Sequence, residues 1–273
     1  MKKLKFEEYV AIDNDFICNS TIDDIVVSTY VIMKGVFYDQ YLNCSQFTIS
    51  DLYDWLQVDS YKANQYKEID NAITWLVDNK YIQLYDLYGN WIEFDRKYKN
   101  SYIVCFDGEG EDNYTQIPYC NLYDLCKYIK ENKAQGFKKY QLIRYYLIIA
   151  RVCSNYSKFY SVNMETISDI TPISFKQCAK NNDALQDLGL IFYNNDYGML
   201  SKSGKFKMNC TMFGHRNIKL NNDETRTMTK EIFDFNVSQY VGGRKTLVEV
   251  DKIKINNKRS ETMKRIWAER KSG

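Results

Sequence analysis

Residues 60 to 82 read Ser60-Tyr-Lys-Ala-Asn-Gln-Tyr-Lys-Glu-Ile-Asp-Asn-Ala-Ile-Thr-Trp-Leu-Val-Asp-Asn-Lys-Tyr-Ile82, with apolar side chains recurring at Tyr66, Ile69, Ile73 and Leu76. That three-and-four spacing draws one buried stripe along a helix expected from about Ser60 to Asn79. The other face is polar: Lys62, Asn64, Gln65, Lys67 and Asn71 lie on it, in the half nearest the N-terminus. In a helix that enters a major groove this is the half that reaches base edges, where Asn and Gln pair with adenine and Lys meets phosphate. Glu68 and Asp70 reduce the positive character of the same helix, and a solvated face is the competing account.

Working outward, Phe47-Thr-Ile49 is extended, and Ser50 is placed to cap a short helix holding Leu52, Trp55 and Leu56. Val58-Asp59 then turns the chain into the long helix. Further upstream, Thr21 with Asp24 three residues on opens a helix whose buried face is Ile25, Val26, Tyr30, Met33, Val36 and Phe37. Downstream, Tyr81 to Tyr85 and Trp91 to Phe94 read as strands flanking Gly89-Asn90, with Tyr102 to Phe106 as a third. The loop Asp95 to Ser101 carries Arg96, Lys97 and Lys99, and either it or the Gly89 turn is the expected wing. Basic residues at such a turn suit phosphate or minor-groove contact, although they also discourage edge pairing.

The stretch around residues 108–113 is acidic and glycine-bearing with nothing apolar to bury, which reads as a linker. Beyond it the chain repeats its first half. Tyr114-Thr-Gln-Ile117 matches Tyr9-Val-Ala-Ile12, Tyr160-Ser-Val162-Asn163 matches Phe47-Thr-Ile49-Ser50, and Leu185, Leu188 and Leu190-Ile191 match Ile73, Leu76 and Tyr81-Ile82. Asn163 is expected to cap a short helix through Met164 and Ile167, ended by Thr171-Pro172, and Ser174 with Gln177 forms a capping box for the next one. That helix offers Lys176, Gln177, Lys180 and Asn181 as its polar face. Three strands come after it at Leu190 to Tyr193, Gly198 to Leu200 and Phe206 to Met212, with Lys202 and Lys205 in the basic loop between the last two.

The expected fold is therefore α+β and mainly α: two tandem winged helix-turn-helix domains at 1–107 and 114–213, each with a small antiparallel sheet. The linker spans 108–113, and a further linker and basic tail span 214–273. So short an acidic linker leaves the relative placement of the domains to be set by DNA.

At 273 residues, 45% hydrophobic and 26% charged, the composition is that of an ordinary globular chain. Its charge is uneven. From Gly242 onward ten Lys or Arg face four Asp or Glu, so the +2 of the whole chain leaves −4 on the residues before. The segment Lys252 to Lys271, with Lys258, Arg259, Lys264 and Arg265, suits a basic arm tracking DNA backbone or a solubilising terminus.

Met1-Lys-Lys-Leu is not followed by the apolar region of a signal peptide, and the longest apolar run, Tyr145 to Ala150, is closed by Arg144 and Arg151. It is too short for a bilayer and reads as a buried helix. A cytoplasmic protein with no membrane partner is expected. The eight cysteines are scattered without a Cys-x-x-Cys pair and His215 is the one histidine, which argues for reduced core thiols and against a zinc site or acid-base catalysis. Gly108-Glu-Gly110 lacks the rest of a phosphate-binding pattern. No enzyme activity, cofactor or metal is expected.

The pattern of Tyr-x-x-Ile at each half's start, Phe47-Thr-Ile-Ser-Asp-Leu52, and Trp75-Leu-Val-Asp-Asn-Lys-Tyr-Ile82 resembles the winged-helix domains of replication initiators and replisome organisers from plasmids and phages of low-GC Gram-positive bacteria. The resemblance covers about Tyr9 to Phe213. It implies sequence-specific binding to double-stranded DNA at an origin and recruitment of host replication proteins, without nucleotide hydrolysis. The same fold serves transcription regulators, and it also serves as a protein-interaction module without DNA affinity. A homodimer is compatible with each of these.

Overall fold

The computed structural model describes residues 9–39, 42, 44–56, 63–106, 113–131, 139–153, 159–162, 167–168, 173–201, 206–215, 241–242 and 245–249. The chain is α+β and mainly helical, with antiparallel sheets. Among the described residues no helix is long and apolar enough to cross a membrane.

The first half opens with strand β1 (Tyr9–Asp13) and a five-residue helix α1 (Asn14–Cys18), which Asp13 caps by accepting from the Phe16 N–H at 2.8 Å. Helix α2 (Asp24–Val36) follows. Its N-cap is Asp23, not the expected Thr21, whose hydroxyl instead donates to Asn19 Oδ1 at 2.7 Å. Strands β2 (Tyr38–Asp39) and β3 (Cys44–Phe47) lead to helix α3 (Ile49–Leu56). Here too the cap differs from expectation. Thr48 Oγ1 accepts from the Asp51 N–H at 3.1 Å while Asp51 Oδ2 accepts from the Thr48 N–H at 3.2 Å, a reciprocal box that leaves Ser50 inside the helix.

Helix α4 (Ala63–Asp78) is the long helix, and strands β4 (Ile82–Tyr85) and β5 (Tyr102–Phe106) complete a sheet of order β2-β3-β5-β4. The strand expected at Trp91 to Phe94 reduces to a single bridge between Trp91 and Tyr85. Beyond it the chain leaves the sheet, because Phe94 and Tyr98 turn inward against Tyr102.

The second half repeats this order. Strand β6 (Tyr114–Pro118), helices α5 (Tyr119–Glu131) and α6 (Lys139–Val152), strand β7 (Phe159–Val162), a short helical turn at 167–168, helix α7 (Phe175–Asp187) and strands β8 (Ile191–Ser201) and β9 (Phe206–His215) come in turn. In its sheet β9 lies between β7 and β8, so β7-β9-β8 mirrors β3-β5-β4. The segments expected as separate strands at Leu190 to Tyr193 and Gly198 to Leu200 are one strand with register shifts, since bulges bend a ladder without ending it. Residues expected in the tail join this sheet as β10 (Val241–Gly242) and β11 (Lys245–Glu249), the latter paired with β8.

Helices α4 and α7 end alike. Past α4, the Tyr81 N–H donates to Leu76 O at 2.9 Å and the Lys80 N–H to Val77 O at 3.0 Å; past α7, Leu190 and Gly189 repeat the pair onto Leu185 and Gln186. This two-bond motif needs a left-handed residue at its centre. Gly189 adopts φ 65° there without strain, whereas Lys80 is held at φ 59°. Lys80→Gly is therefore expected to raise stability by about 1 kcal/mol and Gly189→Ala to lower it by a similar amount, read from the midpoints of urea unfolding curves.

The halves expected on either side of 108–113 interlock. β1 pairs antiparallel with β6, and Ala11 faces Gln116, its own counterpart in the repeat. α2 packs on its counterpart α6, while α2 against α5 and α6 against α1 make reciprocal contacts. Such self-complementary pairing is the hallmark of a two-fold interface, here inside one chain. One hydrophobic cluster runs from Val10 to Ile191, so the placement of the halves is set by the protein's own core and not left to DNA. The apolar run Tyr145 to Ala150 is the buried centre of α6, as its sequence suggested.

Candidate nucleic-acid interface

Ile69, Ala72, Ile73 and Leu76 bury one side of α4 against α2 and the sheet. The other side carries Asn64, Lys67 and Asn71, all exposed, with Glu68 and Thr74 beside them; Gln65 is half-buried at the margin. These residues form the continuous polar stripe that the sequence pattern placed there. Lys62 lies outside the described residues.

The connection between β4 and β5, residues 86–101, is tied to that stripe. Arg96 donates through Nε to Asp70 Oδ2 at 2.6 Å, its Nη2 reaches the same oxygen, and its guanidinium lies 5.8 Å from the centre of the Tyr66 ring. Asp70 Oδ1 accepts from the Tyr53 hydroxyl on α3. Burial, followed by the adjoining Asp70 carboxylate, pushes the Tyr53 hydroxyl well above the usual range for tyrosine, so it stays a donor. The fully buried Tyr102 accepts at its hydroxyl from the Asp95 N–H at 2.9 Å and donates to Asp95 O at 2.8 Å, anchoring the base of the loop. Arg96, expected as a phosphate ligand, ties this connection to α4 through Asp70. Lys97 and Lys99 remain exposed beyond it.

The connection begins with a three-residue hairpin turn. The Asp86 N–H donates to Asn90 O at 2.9 Å, the Gly89 N–H donates to Asp86 O at 3.1 Å, and Gly89 takes φ 84°. Asp86 Oδ1 accepts from the N–H groups of Tyr88 and Asn90, both at 2.8 Å, and Oδ2 accepts from Asn90 Nδ2 at 2.9 Å. These hydrogen bonds, Asn90's foremost, hold the Asp86 carboxyl below its ordinary range. A depressed carboxyl contributes to the turn throughout neutral pH and loses that contribution only as pH falls through its lowered value.

On α7, Ser174 caps the helix by accepting from the Gln177 N–H at 3.4 Å, but the Gln177 side chain does not reach back to complete the box. Its Nε2 donates to Asn181 Oδ1 at 2.9 Å. Asn181, expected on the polar face, is fully buried and corrects that assignment: it occupies in the repeat the core position that Ile69 fills on α4. Lys176 and Lys180 are exposed, with Ala179 and Asp183 between and after them, and Gln177 is half-buried. Phe175 stands exposed at the first turn. Lys202, Lys205, Lys258, Arg259, Lys264 and Arg265, with Asn163 and Thr171-Pro172, lie outside the described residues.

The arrangement presents the amides of Asn64 and Asn71 with Lys67 and Glu68 on one helix, and the connection bearing Lys97 and Lys99 beside it. No family model, no curated protein and no solved structure matches the chain.

Proposed function

We propose that the chain is a sequence-specific double-stranded DNA-binding protein built from two winged helices, acting in plasmid or phage replication initiation by binding an origin and recruiting host replication proteins. The observation that carries this reading is the exposed stripe Asn64, Lys67 and Asn71 on α4, with a wing clasped beside it by Arg96 and Asp70. The element order from α2 to β5, helix, two strands, two helices and two strands with the last strand inside the sheet, supports a winged helix in the first half. The repeat of that order through α7 and β9 supports a second. Because the halves interlock about an internal two-fold, one chain carries two such helices in fixed register, which suits recognition of two half-sites. The assignment to replication over transcription rests on the sequence resemblance.

In this reading the lysines of the wing meet phosphates and the amides of α4 meet base edges. Lys97→Ala with Lys99→Ala is expected to weaken binding alike on specific and random duplexes. Asn64→Ala with Gln65→Ala is expected to lose mainly the preference, at about 1–3 kcal/mol per paired contact. Fluorescence anisotropy on an origin fragment and a shuffled fragment checks both. Equal losses on both duplexes for both variants would overturn the assignment of roles.

A further inference from the structure

The corner positions of a hairpin turn face solvent and ordinarily hold Pro, Asp, Asn, Ser or Gly. Here they hold Leu87 and Tyr88, exposed 50% and 91%, and the return limb begins with Trp91 at 57%. Three large apolar side chains within five residues thus stand in water at a turn whose backbone chemistry is otherwise polar and regular. A sequence that breaks a local rule at one point while obeying it around that point marks a functional position.

The exposure is not for want of a core to reach. Ile92, Phe94 and Tyr98, from the same connection, all pack against the hydrophobic cluster. Nor is the tip loose: the Asp86 carboxylate accepts from two backbone N–H groups and from the Asn90 side chain, so Leu87 and Tyr88 are presented in one position with little ordering left to do on binding. The connection that carries them also carries the exposed Lys97 and Lys99, and the Arg96–Asp70 clasp ties it to the polar face of α4. An apolar tip on the connection that bears Lys97 and Lys99, beside the amides and Lys67 of α4, matches a polyanion with an apolar interior.

We propose that Leu87 and Tyr88 form a wedge that enters the minor groove next to the segment faced by α4 and partly unstacks one base step. This rests on the DNA-binding reading above. Opening a step costs a few kcal/mol, offset by the apolar surface buried and by the added contacts that a kinked duplex allows. Lys97 and Lys99 neutralise phosphates on the flank. Pyrimidine–purine steps unstack most readily, so the wedge selects a TA step without any hydrogen bond to it.

The test uses the full chain and A+T-rich duplexes of about 30 base pairs carrying 2-aminopurine in place of one adenine, moved step by step along the site. Wild-type protein is expected to bind and to raise the fluorescence at one step, strongest at TA. The pair Leu87→Ala and Tyr88→Ala, and separately Tyr88→Ser alone, should abolish that rise and weaken binding about tenfold, with the salt dependence of binding unchanged. Lys97→Ala with Lys99→Ala should do the reverse, flattening the salt dependence while each bound complex keeps its fluorescence. Binding by wild type with no rise at any step overturns the wedge and leaves the DNA reading standing. So does a rise that survives both tip variants, or tip variants that change only the sedimentation of the free protein. Failure of wild type to bind any duplex overturns both.

Discussion

Arg144→Ala is expected to destabilise the chain by about 3–5 kcal/mol, shifting the urea midpoint strongly downward. Arg144 is 1% exposed at the centre of α6, yet it carries a charge. Its guanidinium donates from Nε to Ile17 O at 3.2 Å and from Nη1 to Ile22 O at 2.6 Å and Asp24 Oδ1 at 3.1 Å, while Nη2 reaches Asn19 O. Three carbonyls at the end of α1 and before α2 thus find their donor on the other half of the chain. Truncation leaves them without that donor and removes the partner of a half-buried carboxylate. Asp24→Asn keeps the three carbonyl bonds and should cost much less. A small effect for Arg144→Ala would mean that the halves do not hold each other in this way.

The second large effect concerns α4 and α7 together. Asn64→Ala with Lys67→Ala is expected to weaken specific duplex binding by about a hundredfold, since one amide contact and one phosphate contact are worth roughly 3 kcal/mol between them. Adding Lys176→Ala and Lys180→Ala should remove specific binding at measurable concentrations. In a rigid two-fold arrangement the second helix binds at no further cost in orientation, so the two pairs of substitutions are expected to multiply. If the α7 pair changes nothing, the second half does not touch DNA. Unfolding curves matching wild type distinguish lost contacts from lost fold, as all four side chains are exposed.

The periodicity of residues 60 to 82 and the recurrence of its pattern were enough to foresee α4, α7 and the order of strands about them, because apolar spacing reports which side of an element is buried. The same repeat also contained the answer for Asn181. Matching Leu185 to Ile73 puts Asn181 where Ile69 stands, a core position, although its amide alone suggests the surface. Other contacts depend on partners distant in sequence. Nothing near Arg96 reveals that Asp70, twenty-six residues earlier, will claim it. Arg144 looks like the boundary of an apolar run, and its burial depends on carbonyls more than a hundred residues away. The caps were missed by a smaller margin: Thr48 and Asp23 each stand two residues from the residue expected. Trp91 to Phe94 has the composition of a strand, but it sits where only a bridge can form before Tyr102 draws the loop inward.

That the chain binds duplex DNA through these surfaces is tested most directly by titrating salt against the binding of the chain to a duplex from the DNA that encodes it. Each phosphate neutralised by Lys or Arg releases counterions, and log affinity falls against log salt with a slope of about −0.9 per contact. With Lys67 on α4, Lys176 and Lys180 on α7, and Lys97 and Lys99 engaged, a slope of roughly −4 or steeper is expected, reduced by about 2 when Lys97 and Lys99 are replaced by Ala. Affinity that does not respond to salt, or no binding at low salt, would contradict the account.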